Sequence, residues 1–138
     1  MMAMTVQKFH VAAALLFLAA GPAFADDAPD CTSPQTQTDM TICAGQEYDK
    51  ADKQLNAEYQ KVRKQLAERD KSAEESDKGA TDALIAAQRA WVAFRDANCE
   101  AFGFQARGGT MEPMLVSSCL ADMSSKRADE LRELSEGF

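Results

Sequence analysis

Three stretches of this chain repeat their apolar residues at steps of three and four, and none alternates them at steps of two. A helix turning once in 3.6 residues gathers such positions into one stripe, whereas a half-buried strand needs strict alternation, so the chain reads as all-α. The first stripe holds Met40, Ala44, Tyr48, Ala51, Leu55, Tyr59, Val62 and Leu66. Thr36 with Asp39 three residues later forms a helix-start signature, which predicts a long first helix running to about Arg69.

From Ala67 to Lys78 the chain has almost nothing to bury and mixes both charge signs, as expected of a frayed helix end and a solvated connection. Leu84, Ala87, Gln88, Trp91, Phe94, Arg95, Cys99 and Phe102 then share one face of a second helix, expected from Ala80 to Gly103 with Trp91 as its core anchor. After a reversal through Arg107-Gly108-Gly109, Thr110 as N-cap and Pro113 in the first turn start a third helix that extends to about Glu136. Its expected core stripe is Val116, Cys119, Leu120, Met123, Arg127, Leu131 and Leu134. No repeat of fixed period is present. The expected architecture is a small disulfide-stapled three-helix up-down bundle with a long first helix.

Lys8 and His10 precede the apolar run Val11 to Ala20, and Ala23-Phe24-Ala25 supplies small residues for cleavage, so residues 1–25 read as an export signal. Ten apolar residues are too few to span a bilayer. Residues 26–138 then form a single domain, expected in the periplasm or outside the cell with no membrane span. Ala28-Pro29-Asp30 before Cys31 lacks a lipoprotein cleavage pattern, which predicts a freely soluble product.

Removing the signal removes Lys8 and no acid, leaving 14 basic residues against 22 acidic ones and a net charge of −8. Such a surface repels nucleic acid, and it either serves solubility alone or attracts a basic partner. The one histidine, His10, leaves with the signal, so no imidazole remains for a nucleophile pair or a metal site. The reading is a non-enzymatic protein without cofactor.

The four cysteines, Cys31, Cys43, Cys99 and Cys119, are even in number and show no C-x-x-C spacing. Three connectivities are open. Pairing Cys31 with Cys43 and Cys99 with Cys119 closes two short local loops and is the expectation, each bridge stabilising the fold by ~3 kcal/mol in the chain-entropy model. Met111, Met114 and Met123 lack the spacing of a metal box and are expected to fill core gaps.

Asp52, Asn56, Gln88 and Arg95 lie on or beside apolar stripes, where burial without partners is costly. An ion pair between Asp52 and Arg95, completed by Gln88 or Asn56, would fix the register of the helices.

The segments Gln37-Thr38-Asp39-Met40-Thr41-Ile42-Cys43-Ala44, Asp52-Lys53-Gln54-Leu55-Asn56, Ala87 to Glu100 with its Gln-Arg-Ala-Trp and Phe-Arg-Asp runs, and Gly108 to Met114 resemble the lysozyme-inhibitor LprI-like family. The resemblance runs from Cys31 to about Leu131. It implies an exported, disulfide-bonded helical domain, named for members that inhibit lysozyme. Thr41 departs from the pattern, where Asn often follows Met, and the lipid-attachment cysteine of some members is absent.

Two functions follow. In the first, the acidic protein attracts a basic lysozyme-type muramidase and inserts the loop Gln105, Arg107, Gly108, Gly109, Thr110, Met111 and Glu112 into its cleft, Arg107 meeting catalytic carboxylates and Glu112 a cationic rim. In the second, the bundle is an envelope interaction module without lysozyme inhibition, in which the Gly pair merely turns the chain and Thr110 merely caps a helix. Neither reading sets an oligomeric state.

Overall fold

The computed structural model describes residues 28–137, and the expected export signal lies outside them. The described residues form three long helices: α1 (Gln37–Ser72), α2 (Ala80–Gly103) and α3 (Glu112–Glu136), with no strand among them. Single-turn 3-10 segments at Glu75–Asp77 and Phe104–Ala106 occupy the two connections. No described helix is long and apolar enough to cross a membrane.

The start of α1 is the predicted one. The Thr36 hydroxyl accepts from the Asp39 N–H at 3.0 Å while the Asp39 carboxylate accepts from the Thr36 N–H at 3.0 Å, satisfying two donors that a helix start leaves open. At its other end α1 runs one turn past Arg69, because the Ser72 hydroxyl donates to the Glu68 and Arg69 carbonyls. Its 36 residues span about 54 Å at 1.5 Å per residue.

Asp70, in the last turn of α1, also starts α2. Gly79, the N-cap, has no side chain to offer, and the Asp70 carboxylate instead accepts from the N–H groups of Gly79, Ala80 and Thr81 at 3.2, 3.1 and 2.9 Å. Thr81, through its side chain and backbone, together with Ala80 and Gly79, holds the Asp70 carboxyl below the usual aspartate range.

Cross-helix partners fix the topology. Gln37 meets Met114 at one end of α1 and Gln65 meets Ser135 near the other, so α1 and α3 run parallel. On α2, Gln88 meets Arg127, Arg95 meets Ser124 and Cys99 meets Cys119, so α2 runs antiparallel to α3. The bundle is up-down-up. Leu55, Val62, Leu66, Leu84, Ala128 and Leu131 form a common core, with Tyr59, Ala80 and Trp91 packed against it. Burial of the larger members contributes ~1.5–3 kcal/mol each.

The stripes of α2 and α3 depart from expectation. On α3 the buried residues are Ala121, Ser124, Ala128, Leu131 and Ser135; Val116, Cys119, Leu120, Met123 and Arg127 are only half-buried, and Leu134 is exposed. Small side chains let α3 lie close along α1, its most extensive neighbour, and that closeness selects the Ala/Ser face over the bulkier one. On α2 the enclosed residues are Leu84, Gln88, Arg95, Cys99 and Gly103, while Ala87, Phe94 and Phe102 face outward and Phe94 is 60% exposed. Met111 likewise projects at the surface instead of filling a core gap.

Candidate functional site

Two places carry the polar chemistry singled out by the sequence: a buried arginine at mid-bundle and the loop joining α2 to α3.

At mid-bundle, Arg95 is 5% exposed and donates to Asp52 at 3.1 Å, Asp96 at 2.9 Å and the Ser124 hydroxyl at 3.1 Å. Its guanidinium carbon lies 5.5 Å from the centre of the Tyr48 ring and 5.3 Å from that of Trp91, within cation–π range. Burial opposes the charge, but the hydrogen bonds Arg95 donates to Asp96 and Asp52, with the electrostatic pull of Tyr48 and Asp96, outweigh it and raise the guanidinium above its ordinary value. Burial also pushes the Tyr48 phenol above its ordinary value, against the lowering effect of Arg95.

Asn56 completes Asp52, donating to its carboxylate at 2.8 Å. Gln88 does not join this pair. Its side-chain oxygen accepts from Arg127 Nε at 3.2 Å, and the Arg127 guanidinium lies 5.9 Å from the Trp91 ring centre. Trp91, packed on the core but not enclosed by it, thus sits between two arginines. Asp52 at 36% exposure and Asp96 at 56% are both ion-paired to this one buried cation, an arrangement that ties α1 to α2.

At the end of the bundle, Phe104–Ala106 continues α2 by one turn and Arg107 to Met111 reverse the chain. Gly108 has φ +76°, a conformation that other residues adopt reluctantly. The Gly109 N–H donates to the Ala106 carbonyl at 2.8 Å. Thr110 does not cap α3: the N-cap is Met111, without a side-chain cap, and Pro113 lies in the first turn as expected. Glu112, in the first turn of α3, braces the loop instead: its carboxylate reaches back to accept from Arg107 at 2.7 Å and from the Gly108 N–H at 2.8 Å. The Gly108 N–H and Arg107 hold the Glu112 carboxyl below the usual glutamate range. Arg107 and Glu112, expected to face two different groups of a partner, face each other.

The loop is therefore set from within. Arg107 also lies 4.4 Å over the Phe104 ring, and its side chain remains 59% exposed. Beneath, the Cys99–Cys119 disulfide ties α2 to α3, and Gly103 meets α3 so closely that an added Cβ would stand 2.5 Å from Val116 Cγ2. The second disulfide, Cys31–Cys43, pins the segment before α1, and no cysteine is free. Exposed apolar side chains gather around the loop in Phe102, Phe104 and Met111, with Ile42 on the first turns of α1 at the same end. Gln105 is exposed beside them. Sequence reasoning missed Phe104, whose signal was an aromatic placed just past a helix end, where no core remains to receive it. No group of three or more His, Cys, Asp or Glu side chains among the described residues is placed to hold a metal ion.

Fold and site together define a disulfide-stapled helical bundle with a preset polar loop at one end. The Lysozyme inhibitor LprI family model matches residues 29–131, and the chain belongs to that family. An uncharacterized protein of Rhizobium meliloti (strain 1021) is 47% identical over 129 residues, 91% of this chain and 93% of the relative. The fold is similar to the crystal structure of a DUF1311 family protein from Pseudomonas putida KT2440, with a TM-score of 0.59 and 24% identity over 79% of this chain and all of the other.

Proposed function

We propose that the chain, after export, inhibits a lysozyme-type muramidase by binding it, without chemistry of its own. The contact is the loop Gln105, Arg107, Gly108, Gly109, Thr110, Met111 and Glu112, flanked by Phe104. Family membership supports the reading, and the observation that carries it is the fixed Arg107: one exposed cation, oriented by Glu112 and Phe104 at the disulfide-braced end of an acidic protein. A side chain held in place before binding loses less freedom on docking, and a guanidinium is shaped to meet carboxylates. The surplus of acid elsewhere draws in a basic enzyme and speeds encounter.

The test is a lysis assay with mature protein titrated against several lysozymes, with Arg107→Ala in parallel. Dose-dependent inhibition is expected, weakened tenfold or more by the substitution and reduced as salt rises. Absence of inhibition by a large molar excess against every lysozyme overturns the reading. The Arg107–Glu112 pairing favours one rival, in which the loop is architectural and the bundle docks another envelope protein; inhibition unaffected by Arg107→Ala would move the contact away from the loop.

A further inference from the structure

Most described basic side chains have a carboxylate partner. Arg95, Arg107, Arg127 and Arg132 are each in an ion pair, as are Lys61, Lys71, Lys78 and Lys126. Lys50, Lys53 and Lys64 are not, and nor are Arg63 and Arg89, the two that share a groove. Neither makes an ion pair or hydrogen bond among the described residues, and neither has an acid three or four places away on its own helix, where Gln60, Leu66, Tyr59 and Ala67 surround one and Ala86, Val92, Ile85 and Ala93 the other. Several cations thus lack a partner, and what sets the two arginines apart is their common location.

They line one groove between α1 and α2. Its walls are Asn56, Tyr59 and Arg63 from α1 and Ile85, Gln88, Arg89 and Val92 from α2, bordering a solvent-open groove of about 480 Å³ with no carboxylate in the lining. That volume lies within the range of small-molecule sites. Gln88 adds a buried polar group: it is 8% exposed, and its oxygen is committed to Arg127, which can only donate. The Gln88 amide nitrogen has no partner among the described residues and reaches solvent at the groove, where it is open to donate to a ligand. Ile85, Val92 and the Tyr59 ring supply apolar surface between the polar groups.

We infer that this groove is a binding site for a small carboxylate with an apolar skeleton, the acid held by Arg63 and Arg89 and by the Gln88 amide. Guanidinium forks match a carboxylate in two hydrogen bonds, and an acid-free lining removes the competing partner. The site is on the flank of the bundle, apart from the α2–α3 loop, and its existence does not depend on lysozyme inhibition.

The test is calorimetry on the mature chain with four probes: a short apolar peptide with a free C-terminus, the same peptide amidated, octanoate and octanamide. Binding of either acid, at least tenfold tighter than its neutral counterpart, is expected, and the acid that binds identifies the source of the carboxylate. Arg63→Gln and Arg89→Gln should each weaken that binding tenfold or more, while Lys64→Gln, which faces another surface, leaves it unchanged and all three keep the wild-type unfolding transition. The inference falls if neither acid binds at millimolar concentration, if acid and neutral probes bind alike, or if both arginine variants bind as wild type. Lysozyme inhibition measured on the same arginine variants should be unaltered, so failure here and failure of the loop reading are told apart.

Discussion

Arg95 and Arg107 are twelve residues apart in sequence and live in opposite surroundings. Arg95 is enclosed between α1, α2 and α3, with two carboxylates, a hydroxyl and two aromatic rings around one guanidinium. Arg107 has one carboxylate and one ring and stands in water on its remaining sides. The same chemical group is thus fully matched by partners in one place and only oriented in the other. Burial decides which, because a charge removed from water must be matched completely whereas an exposed one need only be oriented.

The largest effect that would separate them is on stability. Arg95→Ala leaves a cavity among Tyr48, Trp91 and Ser124 and removes the only described cation within reach of both Asp52 and Asp96, and it should lower the unfolding free energy by about 3 kcal/mol in denaturant titration. Arg95→Lys should recover only part of the loss, since an ammonium cannot reach three acceptors as a fork does. A wild-type midpoint for Arg95→Ala would dissolve the contrast.

Gly103→Ala comes next. It probes whether the base of the exposed loop is packed as tightly as the core, and the meeting with Val116 Cγ2 should cost about 1–2 kcal/mol. A neutral outcome would mean that α2 and α3 separate easily beneath the loop.

Arg107→Ala should leave the denaturant midpoint unchanged within error while weakening lysozyme inhibition, the reverse of the Arg95 pattern. The smallest effect is that of acid. Asp70 and Glu112 have folded-state pKa values below their ordinary ones, so each contributes stability that is present above the usual carboxylate range and lost as pH falls through it and below. The slope of stability against pH in that acidic window should flatten in Asp70→Asn and Glu112→Gln, checked by thermal melts at successive pH values. An unchanged slope in Glu112→Gln would show that Arg107 is oriented without it.

Local rules made much of this legible. The Thr36–Asp39 box needs only residues three apart, and the bounds of α2 follow from Gly79 and Gly103 on either side of an apolar run. The second start, that of α2, was not legible, because its capping carboxylate, Asp70, lies nine to eleven residues away across a turn. The candidate loop could be located from Gly108 and Gly109, but the pairing of Arg107 with Glu112 depends on the backward reach of a side chain from the first turn of α3. Gln88 is buried, and its partner, Arg127, comes from the half-buried edge of α3, a contact that no local spacing specifies.

By itself the amino-acid order determined that the chain is helical, where the helices begin and end to within a few residues, and that Asp52 and Arg95 need partners. Tertiary structure alone decided which side of α3 turns inward, which aromatic residues stay wet, and that Arg63 and Arg89 border one groove. Periodicity specifies which side chains share a stripe, but two adjacent stripes can satisfy it equally. The choice between them is made by how closely a neighbouring helix can approach, and here alanine and serine on α3 permit the closest contact with α1.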